Sequence, residues 1–155
     1  MKTNQKKLII CLAIPLAVGG LAALLSGGMR TYHTLNQPPL SPPGWVFPVV
    51  WSILYLLMGY ASYRILISDA DPDAIRKALT FYFIQLALNF LWPLVFFGLQ
   101  QYFAAFLLLL VLWVFIYLTM YSFGKIDDTA QNLLIPYLLW VTFAGYLNLG
   151  VALLN

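Results

Sequence analysis

Charge is scarce in this chain of 155 residues: 8% of its positions are Asp, Glu, Lys or Arg, against about 25% in an ordinary soluble domain. It has one cysteine, Cys11, and one histidine, His33. A lone cysteine excludes an intramolecular disulfide and any cysteine-based metal cluster, and leaves Cys11 as a small buried apolar residue. The long apolar runs hold no Asp or Glu, so a carboxylate proton relay of the kind used by pumps and secondary transporters has no residues to run on. Paired carboxylates at acid–base spacing, HExxH, a Gly-rich phosphate loop and a CxxCH haem attachment are missing as well. His33, in a loop, has solvation as its ordinary reading and axial ligation of a haem iron as the alternative. Any chemistry performed here is borrowed from a ligand.

Apolar residues fill the space instead: the chain is 63% hydrophobic and 17% aromatic. Five stretches, roughly Leu8–Leu25, Trp45–Ile67, Leu79–Leu99, Phe103–Phe123 and Leu133–Leu154, approach the ~20 helical residues that cross a bilayer. They leave no room for a soluble domain, and they lack the alternation of a membrane barrel. The fold class is therefore all-α and polytopic, a single bundle of five transmembrane helices over residues 1–155. The first stretch exceeds the ~7–15 residues of a signal-peptide core and is expected to be retained. Within it, Pro15 and Gly19-Gly20 suggest a kink and a close helix approach, and Gly19 with Ala23 has a small-xxx-small spacing that suits plain packing.

The net charge of +3 does not point to nucleic acid, because the cations follow a topology. Lys2, Lys6, Lys7, Arg64, Arg76, Lys77 and Lys125 fall on one side of a five-span arrangement, and only Arg30 on the other. Positively charged short loops stay cytoplasmic, so the amino terminus is expected inside and the carboxyl terminus outside. The acidic residues Asp69, Asp71, Asp73, Asp127 and Asp128 share the inner loops.

The first loop is long, spans residues 26–44 and carries Pro38, Pro39, Pro42 and Pro43. Long loops in compact domains often act as lids, and proline lowers the entropy lost on ordering. A rigid outer connection and a lid over a cavity are both compatible with it. Three spans each carry an aromatic–polar stripe at helical spacing. These read Trp51, Tyr55, Met58, Ser62; then Gln85, Asn89, Trp92, Phe96; then Pro136, Trp140, Phe143 with Ala144, Leu147 and Asn148 further along. Amides are costly in hydrocarbon unless paired, so Gln85, Asn89 and Asn148 are expected to point inward. Interhelical hydrogen bonding alone would explain each amide. Rings beside amides on three helices favour a flat apolar pocket with polar anchors. The fourth span has no such stripe, and is expected to face lipid or a second subunit, with Trp113 and Tyr117 in packing roles.

Three segments carry a resemblance. They are Trp45-x-x-Pro48-x-x-Trp51-x-x-Leu54-Tyr55-x-x-Met58-Gly59-Tyr60-x-Ser62-Tyr63, then Gln85-x-x-x-Asn89-x-x-Trp92-Pro93-x-x-Phe96-Phe97-Gly98, then Pro136-Tyr137-x-x-Trp140-x-x-Phe143-Ala144-x-x-Leu147-Asn148. Together they resemble the translocator protein family, also called tryptophan-rich sensory proteins, TspO/MBR or peripheral-type benzodiazepine receptors. With the proline-rich loop the likeness covers nearly the whole chain. It implies a five-helix membrane bundle that forms homodimers. It also implies a ligand pocket under the first loop for porphyrins, haem-related tetrapyrroles and benzodiazepine or isoquinoline carboxamide drugs. By match of motif, Trp51, Asn89, Trp92, Trp140 and Ala144 belong to that pocket, with Tyr55 and Phe143 close by and Tyr32, Phe90 and Leu147 completing the expected set. Some bacterial members degrade protoporphyrin in light and oxygen, and Trp51 and Trp140 match the tryptophans implicated as catalytic.

One departure bears on ligand choice. Animal members end span five with an apolar residue, a tyrosine and a cation, a pattern that is hypothesis-grade even when present. Residues 149–155 hold neither tyrosine nor cation, which argues against tight sterol binding and for a bacterial member. The expected partners are a porphyrin or other lipophilic small molecule, membrane lipid and a second copy of the chain, without nucleic acid. No cofactor or metal is required, porphyrin being ligand or substrate. Three function classes remain: a tetrapyrrole receptor or sensor, a photo-oxidative enzyme, and a carrier of porphyrins or other lipophilic molecules.

Overall fold

A computed structural model describes residues 2–27 and 32–155. Arg30, the one cation expected beside the first loop, lies outside the described residues, as does part of the proposed lid. The described chain folds into α1 (Lys2–Ser26), a 3-10 turn (Tyr32–Thr34), α2 (Val46–Leu66), α3 (Pro72–Pro93), a π turn (Leu94–Gly98), α4 (Tyr102–Gly124), a short α5 (Asp128–Leu133) and α6 (Ile135–Leu154). No strand occurs among the described residues. Five segments are long and apolar enough to cross a membrane, α3 continuing through its π turn and α5 running on into α6. This is an integral membrane protein.

Helix boundaries depart from the apolar stretches where polar chemistry governs them. α3 begins at Pro72, seven residues before its apolar run, because Asp71 caps it by accepting from the Asp73 amide at 3.3 Å and proline suits the first turn. The fifth segment begins at Asp128 for a similar reason: the Asp127 carboxylate accepts from the Thr129 amide at 3.1 Å. Pro136 has no N–H to continue the ladder, and the chain breaks once at Leu134 before α6. After Pro93 the third segment widens into a π turn, in which the Leu99 amide donates to the Leu94 carbonyl at 2.9 Å. Such turns re-aim side chains and often mark functional sites.

The helices form a ring in the order α1, α2, α5–α6, α4, α3 and back to α1. α4 buries Ala105, Leu109, Leu112, Ile116, Thr119 and Phe123 on one stripe, packed between α3 and α6. The expectation that this span faces only lipid or a second subunit is therefore half right. Its inner face is core, made without amides, and its outer face exposes Leu107, Leu110, Val114 and Tyr117. Trp113 donates its indole N–H to the Thr142 hydroxyl at 2.8 Å, tying α4 to α6.

α1 crosses the ring rather than running alongside one neighbour. Low in the bundle it lies on α2, where a Cβ on Gly59 would strike the Cys11 carbonyl. At its other end Ser26 lies against Gly98 of the π turn. α2 also begins late: Phe47, in its first turn, meets Trp140 edge to face at 5.7 Å between centroids, while α6 continues to Leu154. The first loop fills the level that α2 leaves vacant. Pro38 lies on Gly150, and the Asn36 carbonyl accepts from the Asn155 amide group at 2.9 Å.

At the opposite end, Arg64 donates to Asp127 at 2.6 Å and joins α2 to the α4–α5 turn. The Arg64 guanidinium holds the Asp127 carboxyl below its usual 3.8. A carboxyl with a lowered folded-state pKa adds stability above its unfolded value and loses it as pH falls through the folded one. Asp127→Asn keeps the helix cap but not the charge. Its melting temperature in detergent should lie below that of the unaltered protein at neutral pH, and the gap should close as pH drops below 3.8.

Candidate functional site

Inside the ring, at the end covered by the first loop, lies a cavity of about 340 Å³, within the range of small-molecule sites. Its walls come from α1, the loop, α2, α3 with its π turn, and α6. α2 contributes Phe47, Trp51 and Tyr55, with Trp51 stacked on Tyr55 at 5.5 Å. α3 contributes Asn89 and Trp92, and the π turn adds Phe96 and Phe97, with Trp92 stacked on Phe96 at 5.0 Å. α6 contributes Ala144, Leu147, Asn148 and Val151. Ala144 is the small residue of its stripe and leaves room beside the rings.

A buried polar chain ties these walls together. The Tyr55 hydroxyl donates to Asn89 Oδ1 at 2.9 Å, Asn89 Nδ2 donates to the Tyr137 hydroxyl at 2.7 Å, and that hydroxyl donates to Gln85 Oε1 at 2.6 Å. α2, α3 and α6 are thus joined through one asparagine. A second link runs from the Trp92 indole N–H to Asn148 Oδ1 at 2.9 Å, and from Asn148 Nδ2 to the Tyr102 carbonyl at 2.8 Å. Gln85, Asn89 and Asn148 are all buried. Asn89 and Asn148 each bond across helices and also line the cavity, so the two readings of the amides are not exclusive. With both amides engaged, the cavity presents shape and ring faces more than free polar groups.

The roof is the first loop, which supplies Tyr32, Gln37 and Ser41 to the cavity. Proline has no amide N–H, so four prolines reduce the donors that a non-helical segment must satisfy. Their carbonyls are all met. Ser41, Tyr146 and Tyr32 donate hydroxyls to Pro38, Pro39 and Pro42 at 2.7, 2.7 and 2.6 Å, and the Val46 amide donates to Pro43 at 3.0 Å. Burial pushes the Tyr32 phenol above its usual value. Tyr32 also meets Phe47 edge to face at 5.1 Å.

Of the residues expected from sequence, Tyr32, Trp51, Tyr55, Asn89, Trp92, Ala144 and Leu147 line the cavity. Trp140 and Phe143 do not. They line a shallower apolar hollow of about 440 Å³ with Val50, Ile53 and Leu139 between α2 and α6, and the buried Trp140 indole N–H has no hydrogen-bond partner among the described residues. Phe90 lines neither space. The sequence reading had no place for the α1 wall of Leu16, Gly19, Gly20 and Ala23, nor for Phe47. The Gly19–Ala23 spacing was the available signal, but it serves a different end: a Cβ on Gly19 would strike the Tyr55 ring, so the small residues make room for an aromatic side chain.

Comparison with known proteins agrees with this architecture. Residues 11–154 match the TspO/MBR family. The chain is 38% identical over 150 residues to the tryptophan-rich protein TspO of Chlorobaculum tepidum, covering 96% of this chain and 95% of that one. It is 42% identical over 124 residues to the tryptophan-rich sensory protein of Cereibacter sphaeroides, covering 80% and 76%. It is 39% identical over 124 residues to the human translocator protein, covering 78% and 72%. The five membrane-crossing segments, the ring-lined cavity beneath a proline-rich loop and this match along nearly the full length place the chain in the TspO/MBR family.

Proposed function

We infer that the protein is a membrane receptor or sensor that binds a flat tetrapyrrole with an apolar ring face, such as protoporphyrin IX. The cavity under the first loop is the binding site, with Trp51, Tyr55, Trp92 and Phe96 as its stacking surfaces. The observation that carries this reading is the pairing of stacked rings on α2 and α3 with amides already engaged by neighbours. Such a site rewards a planar ligand and offers little to a small polar one. The relatives named as sensory and translocator proteins support a receptor role. The membrane orientation that goes with it has the amino terminus cytoplasmic, following the cations gathered at the end opposite the loop.

A photo-oxidative role is the second reading, and the position of Trp51 in the cavity wall favours it. Light-excited porphyrin and oxygen generate oxidants, and an electron-rich indole at contact distance can react with them. Trp140 lies outside the cavity, so the two tryptophans should not behave alike. The test follows bound protoporphyrin IX by absorbance, first in darkness and then in light. Saturable binding in the dark with an unchanged spectrum is the result expected of a receptor. Light-dependent bleaching that Trp51→Phe suppresses more than Trp140→Phe, with binding retained, would establish the enzymatic role. No saturable binding in the dark overturns the tetrapyrrole reading.

A further inference from the structure

The walls of the cavity are unequally covered. On α6, Ala144, Leu147 and Asn148 are buried. On the facing edges of α1 and α2, Gly20, Ala23, Pro48 and Ser52 line the same cavity and are exposed. A Cβ added to Gly20 would meet nothing within 4 Å. The crossing of α1 explains the gap. Below Gly19 the helix is held on α2, with Gly19 against the Tyr55 ring and Gly59 against the Cys11 backbone; above it α1 departs toward Gly98. The two helices therefore diverge at the level of Trp51, on a side of the bundle that faces hydrocarbon.

We propose that the cavity is loaded sideways from the bilayer, through the opening between α1 and α2 bordered by Gly20, Ala23, Pro48 and Ser52, while the first loop stays shut. This rests on the binding role inferred above and adds the route and the phase from which the ligand comes. The apolar macrocycle of such a ligand favours lipid, each buried CH₂ being worth about 0.8 kcal/mol, while its two propionates favour the headgroup level. A route through the opening keeps that ring in apolar surroundings throughout. The border suits that traffic: two small residues on α1, a proline on α2, and Ser52, whose hydroxyl is turned back onto the Pro48 carbonyl at 2.7 Å. The roof, by contrast, is fastened to α6. Asn36 and Asn155 exchange hydrogen bonds at 3.2 and 2.9 Å, and Tyr146 holds Pro39.

The experiment compares the two routes in the full chain reconstituted in lipid nanodiscs, with protoporphyrin IX as the probe and tryptophan quenching as the rate signal. Gly20→Phe and Ser52→Phe obstruct the opening from opposite sides. Asn36→Cys with Asn155→Cys, oxidised to a disulfide in a Cys11→Ala background, locks the loop to α6. Each Phe variant should slow association and dissociation together, by about tenfold, as a raised barrier does. A residue that only touched bound ligand would change dissociation alone. The locked loop should load at the unaltered rate. Loading slowed by the locked loop but not by either Phe variant overturns the lateral route in favour of the roof. Rates unslowed in all three overturn it as well. Absence of saturable binding by the unaltered protein is a separate result, which overturns the tetrapyrrole reading and, for this ligand, its route.

Discussion

Gly59→Leu should be the most destabilising single substitution in the lower half of the bundle, costing about 3 kcal/mol, the upper end of ordinary overpacking. A Cβ at this position runs into the carbonyl and backbone of Cys11, not into the tip of a side chain that can swing away. The only relief is to move α1 off α2, its principal neighbour. Most of the α1 surface faces outward, and in lipid that surface gains nothing from being covered. The check is the apparent melting temperature in detergent beside Gly20→Ala. Gly20 has open space, and alanine is favoured over glycine in a helix by about 1 kcal/mol. A large drop for Gly59→Leu with none for Gly20→Ala is expected; equal effects would show that helix propensity, not the close approach, is what these glycines control.

Asn89→Leu should weaken protoporphyrin IX binding by about tenfold or more, equivalent to about 1.4 kcal/mol, and lower stability at the same time. The substitution takes the acceptor from Tyr55 and the donor from Tyr137. A buried hydroxyl left without a partner costs about 1–3 kcal/mol, although interhelical hydrogen bonds in membranes average nearer 0.6 kcal/mol. Tyr137→Phe separates the effects. Tyr137 does not line the cavity, yet its hydroxyl joins Asn89 to Gln85. If the polar chain positions the cavity walls, Tyr137→Phe also weakens binding. Unchanged affinity would reduce Asn89 to a contact residue.

The sequence is most legible where lipid is the arbiter. Hydrocarbon tolerates only long helices with inward amides, so the five spans and the burial of Gln85, Asn89 and Asn148 follow from residue type and spacing alone. What is not legible depends on rotation and crossing. The α6 stripe runs through Pro136, Trp140 and Phe143 with Ala144, Leu147 and Asn148, but helical drift divides it. Ala144, Leu147, Asn148 and Val151 reach the cavity, while Trp140 and Phe143 turn to the neighbouring hollow. A rotation of one residue about the axis decides between these faces, and no local signal records it. The α1 wall was hidden for another reason. Gly and Ala in a membrane helix look the same whether they admit a second backbone, a tyrosine ring or an opening. α4 shows the converse, since a purely apolar helix can be half core with no polar mark to show it.

The late start of α2 has a volumetric meaning. From the level of Trp140, where Phe47 meets it, α6 continues for some fourteen residues, roughly 20 Å at 1.5 Å per residue. A helix about 10 Å wide over that length would displace roughly 1,600 Å³. The chain spends that column on an extended loop, which is thinner than a helix, and the cavity of about 340 Å³ opens beside it. The size of ligand admitted is then governed by where one helix begins, more than by the bulk of any side chain. Extending α2 by a single turn at its loop end would subtract capacity without altering one lining residue on α3 or α6.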